Sequence, residues 1–322
     1  MDEALIGGML ASTLRVSTPL VLCALAGMFS ERSGVVDIGL EGKMLFAAFA
    51  AGAAGAVGGS TALALLAGMG VAIALSWIHG LACVSHPGDQ VVSGVAINII
   101  AVGLTMVLGI AWFAQGGQTP PVSAEVRIHP LFPDAGNALS VIPYVGRIVG
   151  EGLFTHTSLL YVSYALVPVA WWLMFRTRFG LRLRAVGENP QMVDAAGVSV
   201  QRLRYMALTL NGMLCGLAGS YLVLVQSANF SNNMTAGRGF MALAALIFGR
   251  WHPIHALWAC LLFGFLDAAA IRMQGVPLPL VGEVPVQFIQ ALPYVMTVVL
   301  LAGFIGKAVA PQALGKPYLK ER

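Results

Sequence analysis

Charge is scarce in this chain. Of 322 residues, 10% are Asp, Glu, Lys or Arg and 58% are hydrophobic, whereas a soluble domain carries about 25% charged and 45–50% apolar residues. Met44–Ile78, Gln90–Ala124, Leu153–Phe175, Tyr205–Gly237 and Val284–Gly306 hold no charge at all. A spanning helix needs about 20 apolar residues, so the longest runs have room for more than one span. Period-two alternation is also missing, which excludes a β-barrel. The expected class is therefore all-α: a polytopic integral membrane protein, one transmembrane domain over residues 1–322.

Other absences narrow the function. The four cysteines (Cys23, Cys83, Cys215, Cys260) are widely spaced inside apolar runs, as small buried hydrophobes are, and not as disulfide or metal frameworks. The N-terminus has no Lys or Arg before Arg15, unlike a cleavable signal. No basic face with interleaved aromatics exists to bind nucleic acid. His252 and His255 have no acidic or cysteine neighbour, so no metal site is expected. No paired-Asp, Ser/His or HExxH constellation lies in the spans, so an intramembrane enzyme is not expected. GxxxxGK[ST] is absent too, because the Gly-Lys pairs ending at Lys43, Lys307 and Lys316 are followed by Met, Ala and Pro. Any ATP hydrolysis would need a partner, and the chain itself carries no cofactor.

What remains reads as about nine spans (range eight to ten): 16–30, 38–57, 61–84, 90–114, 157–175, 205–226, 236–249, 253–271 and 286–304. The segment 176–204 holds Arg176, Arg178, Arg182, Arg184, Arg202 and Arg204, and the tail adds Lys307, Lys316, Lys320 and Arg322. The positive-inside rule makes both cytoplasmic. Residues 116–156, with five prolines, then form an external loop with one amphipathic turn near 143–152. Nine spans put the N-terminus outside.

Within 176–204, "GENPQMVDAAGV" reads as a short helix held out from the membrane. Asn189 is its N-cap, Pro190 its first residue, Asp194 lies early in it, and Gly197 near its end. With Glu188 and the small face Ala195, Ala196 and Gly197, it offers what a soluble partner could grip. A second unusual stretch, "ERSGVVDIGLEGKML" (31–45), places Glu31, Arg32, Asp37, Glu41 and Lys43 beside apolar runs. It reads as a polar, Gly-rich break between helices. Two locations stay open: a rim where Glu31 and Arg32 pair in water, or a deeper site where Asp37 or Glu41 faces solute.

Together with "DQVVSGVAINIIAVGLT" (89–105) and "GRGFMALAALIFGRWHP" (237–253), these stretches resemble permease subunits of bacterial ABC importers. The similarity is to the branch serving branched-chain amino acids, ribose-type sugars and nucleosides, and the first motif looks most like the nucleoside-type members. Those members usually have Asn where this chain has Asp37, and the extra leading helix of sugar-type members is expected to be absent. The resemblance implies an inner-membrane complex with a second, paralogous permease subunit, two cytoplasmic ATPases using ATP and Mg, and an external substrate-binding protein. It also implies that the 188–197 helix couples to the ATPase.

Intramembrane polar residues mark candidate solute contacts, since each needs a partner or a wet cavity. Asn98 leads, with Ser93 nearby; the alternative is helix–helix glue. Arg238 begins a segment whose Gly-flanked start resembles that of Lys43, as two broken helices of an internal repeat would. Phe230, among Asn229, Asn232 and Asn233, is a candidate external gate contact. His79 and His86 read as isolated. Asp267 and Arg272 read as an ion pair or as interface groups. An ion-coupled secondary transporter acting without ATPases is the rival class. It calls for mid-span carboxylates, and only Asp267 approaches that description.

Overall fold

In a computed structural model of the chain, residues 3–132, 145–273 and 309–318 are described, with a few isolated positions between them. The expected span 286–304 lies almost wholly outside the described residues. Within them, seven helices are long and apolar enough to cross a membrane, and the architecture is all-helical.

The first is α1 (Glu3–Arg32). The charge-poor runs supply α2 (Leu40–Gly58), α3 (Thr61–Gly80), which continues as a π-helical turn at Leu81–Ser85, and α4 (Gln90–Phe113). The short amphipathic α5 (Val145–Leu153) follows, where a single turn was expected. Then come α6 (Ser158–Arg176), α7 (Arg178–Glu188), α8 (Pro190–Ala195) and α9 (Val200–Tyr221), the last extended by a π-helical turn at Leu222–Ser227. The series closes with α10 (Arg238–Phe248) and α11 (Pro253–Met273). Asp89 starts α4, its Oδ1 accepting from Val91 N (2.8 Å) and Val92 N (3.0 Å), which satisfies two of the donors a helix start leaves open.

Small residues let the central helices approach closely, as packing in lipid favours. A Cβ on Gly212 of α9 would lie 2.6 Å from Ile73 Cα of α3, and one on Gly216 would overlap Met69. The outer face of α4 exposes Val92, Ile99, Val107 and Trp112. Apolar side chains facing outward suit lipid or another apolar protein surface.

The expected span 236–249 needs a correction. Its helix, α10, has 11 residues, roughly 16 Å at 1.5 Å per residue, about half an apolar layer. The chain still returns to the end of the bundle it left, because residues 228–237 enter as an irregular segment before α10 starts. That segment is anchored at the far end by Val122 N donating to Ala228 O (2.7 Å) and Thr119 N to Phe230 O (3.2 Å).

Helix directions place the break at 33–39, α7, α8 and residues 309–318 at one end. Ala313 N donates to Gly187 O (2.8 Å) and Gly315 N to Gly34 O (3.2 Å). Residues 118–131 lie at the other end, with Ile128 N donating to Leu224 O (3.1 Å).

Candidate solute path and coupling site

The polar stretch after α1 is neither a solvated rim nor an open cleft. Asp37 and Lys43 have no solvent exposure and form an ion pair of 2.5 Å. Lys43 also donates to Asn211 Oδ1 of α9 (3.2 Å), which receives Ser76 Oγ of α3 as well (3.1 Å). The Asn211 amide then donates to Ala26 O (3.1 Å) and Ser30 Oγ (3.3 Å) of α1. Thus one asparagine ties three helices to the break. Burial works against the charged form of Asp37, but the charge and hydrogen bond of Lys43, with His79 and the Gly39 amide, together hold the carboxyl below its usual range.

The break is pinned from α3 and α4 as well. His79, expected to be isolated, bridges Val36 O and Ser93 Oγ, both at 2.9 Å. Asn98 reaches the break twice, accepting from Gly42 N (2.7 Å) and donating to Ile38 O (3.1 Å). A Cβ on Gly42 would lie 2.7 Å from Asn98 Cα, so α2 and α4 touch backbone to backbone there. Ser93 and Asn98 are half-buried; Asn98 bonds the segment that contains Asp37 directly, and Ser93 reaches it through His79.

Glu31 and Arg32 do not pair with each other in water. Glu31 is buried and accepts from Trp251 Nε1 (2.5 Å), while Arg32 Nε donates to Trp251 O (3.2 Å). The cause is the tight turn before α11, where Arg250 and Trp251 take positive φ and bring the indole under α1. Arg272, read with Asp267 as an ion pair or as an interface group, donates to Ser12 Oγ of α1 (3.4 Å).

The two breaks foreseen as separate features meet directly. Glu41 Oε1 accepts from Gly237 N (2.8 Å) and Oε2 from Gly239 N (2.6 Å). A helix start inside an apolar layer leaves backbone donors that water cannot reach. A carboxylate there satisfies them and sits at the positive end of the helix dipole. Glu41 is therefore the N-terminal cap of the half-helix α10, with half-buried Arg238 beside it. Phe230 is fully buried towards the other end, edge-on to Phe49 at 5.3 Å. Asn211, Ser30 and the role of His79 were missed from the sequence. Their only signal was polarity inside apolar runs.

At the arginine-rich end, α8 forms as its sequence predicts. Asn189 Oδ1 caps Met192 N (3.1 Å), Pro190 is the first helical residue, and Gly197 ends the motif at φ 77°. Val193 packs inward, while Met192, Ala195, Ala196 and Gly197 are exposed and Asp194 is half-buried. Among the described residues no group of three His, Cys, Asp or Glu side chains converges.

A bundle of long apolar helices around a re-entrant half-helix and a buried polar break is the construction of a multi-pass membrane permease. The family described as the branched-chain amino acid transport system permease component matches residues 9–302. The chain is 40% identical over 317 residues to a guanosine ABC transporter permease protein, NupQ, of Bacillus subtilis, covering 96% of this chain and 95% of that one. It is 39% identical over 319 residues to a nucleoside ABC transporter permease protein, NupC, of Lactococcus lactis, covering 97% and 96%. A second guanosine permease protein of B. subtilis, NupP, is 26% identical over 275 residues, covering 82% and 75%. The chain belongs to this permease family, as the non-catalytic, multi-pass membrane subunit of an ABC importer.

Proposed function

We propose that this subunit forms, with a paralogous permease, the path for a nucleoside delivered by an external binding protein. Cytoplasmic ATPases using ATP and Mg drive the cycle. The observation that carries the solute class is the likeness, over nearly the whole chain, to permeases named for guanosine and nucleosides. The paired subunit is supported by B. subtilis having two such permeases similar to this chain at different levels.

In this reading the wall of the path is the break at 34–43. Asn98 and Arg238 present polar groups at its surface, Asp37, Glu41 and Ser93 (through His79) hold its shape, and Phe230 closes the external side. The 116–156 segment faces outward, where the binding protein docks. The C-terminus lies in the cytoplasm with the 176–204 loop, in the bacterial inner membrane. The exposed side of α8, with Glu188 and Asn189 before it, Ala195 at its end and Ala196 and Gly197 behind, contacts an ATPase.

The test is the double variant Glu188→Arg with Ala196→Trp, which changes a charge and a small surface without touching buried residues. ATPase co-purification is expected to be lost while membrane insertion is unchanged. Undiminished co-purification would remove α8 from the coupling role.

A further inference from the structure

Residues 309–318 return to the arginine-rich end as a short strap, and its backbone donors serve different elements. Ala313 N–H donates to Gly187 O (2.8 Å), in the last turn of α7. Gln312 N–H reaches the Glu188 carboxylate (3.3 Å), next to the residue that caps α8. Gly315 N–H donates to Gly34 O (3.2 Å), where the polar break begins. Pro311 and Ala313 are buried between these elements. A Cβ on Gly34 would lie 3.1 Å from Ala313 O, and one on Gly187 would lie 3.4 Å from Pro311 Cβ. The strap is tight against Gly34 and in van der Waals contact with Gly187.

The strap is itself a hydrogen-bonded turn, with Leu314 N donating to Pro311 O (3.1 Å) and Lys316 N to Ala313 O (3.2 Å), so a segment bonded at both ends is also braced internally. Gly315 adopts φ 77°, which an L side chain takes only under strain. Past Gly34 the connection stays stiff. Asp37 holds Lys43, Lys43 holds Asn211, and Glu41 holds Gly237 and Gly239 at the start of α10. A second tie runs from α9, where buried Arg204 donates to Ser33 O (3.2 Å). Tightly packed elements pass displacements on, since interiors are dense and weakly compressible.

We propose that the strap Pro311–Gly315 carries nucleotide-driven displacement of α8 to the break at Gly34–Lys43, and through Glu41 to the start of α10. This rests on the reading of α8 as the ATPase contact. It assigns the C-terminal segment a positioning role in coupling ATP hydrolysis to solute movement.

Hydrogen exchange on the intact complex, with and without a non-hydrolysable ATP analogue, separates the two ideas. In the wild type the analogue is expected to change exchange in both 188–197 and 34–43. In Gly315→Pro, which removes the N–H and forbids φ 77°, the response at 188–197 persists and that at 34–43 falls at least fivefold. Guanosine moved per ATP hydrolysed falls by a similar factor, a readout that a purely structural defect would not shift. If Gly315→Pro does not assemble, Gly315→Ala keeps the donor but strains the turn, and at least a twofold smaller response at 34–43 is expected. An undiminished response at 34–43 in the assembled variant overturns the strap. Loss of ATPase association in a folded Gly315 variant overturns it too, by making the strap a docking element. No response at 188–197 in the wild type would instead overturn the α8 reading beneath it.

Discussion

Glu41 and Gly239, 198 positions apart in sequence, are joined by a 2.6 Å hydrogen bond from the Gly239 amide to the Glu41 carboxylate. This contact welds the break after α1 to the start of the half-helix α10. It accounts for an acidic residue within an apolar span. The carboxylate replaces the water that a buried helix start lacks.

Gly239→Ala should be far more damaging than its size suggests, because the new Cβ would lie 2.6 Å from Glu41 Cα. Gly70→Ala in α3 meets nothing within 4 Å and is the matched control. Monodisperse yield in detergent should collapse for the first and hold for the second. Equal yields would contradict the contact.

Lys43→Met should destabilise strongly, by about 3–5 kcal/mol, since it leaves Asp37 buried without its cation. Adding Asp37→Asn to it should recover most of that loss. Thermal unfolding of the two variants checks this, and indistinguishable midpoints would argue against the pair. The pH dependence has a definite sign. A carboxyl held below its usual value gives stability that is present above the unfolded pKa and lost as pH falls through the folded one. The contribution of the pair therefore survives mild acid and disappears only below the ordinary carboxylate range.

Asn98→Leu should leave insertion intact but leave Gly42 N and Ile38 O without their partner. At about 1–3 kcal/mol for an unpaired buried group, the break loosens rather than unfolds. Guanosine transport is expected to fall at least tenfold with near-normal protein yield. Unchanged transport would place Asn98 outside the path.

Gly216→Val tests helix packing alone. Its side chain would drive α9 into Met69 of α3, so assembly should fail, with little folded protein recovered by size exclusion. Normal recovery would mean that the two helices are not in contact.

The charge-free runs made the long helices legible, and Asn189, Pro190 and Gly197 made α8 legible, because those signals are local. The half-helix α10 read as a full span because apolar composition records burial and not length. The environment of His79 was hidden because its partners, Val36 and Ser93, sit on other segments. Pairing of Glu31 with adjacent Arg32 is one of the two readings its sequence leaves open, although its partner Trp251 lies 220 positions away. Both breaks were visible from their glycines and charges. Their meeting was not, since only tertiary packing sets Glu41 beside Gly239.

The most direct measurement is guanosine uptake into proteoliposomes containing this chain, its paralogous permease and the ATPase subunits, supplied with loaded binding protein. The account predicts accumulation that requires ATP and the ATPase subunits and is insensitive to collapse of ion gradients. Uptake driven by an ion gradient, by this chain without ATPase subunits, would contradict it.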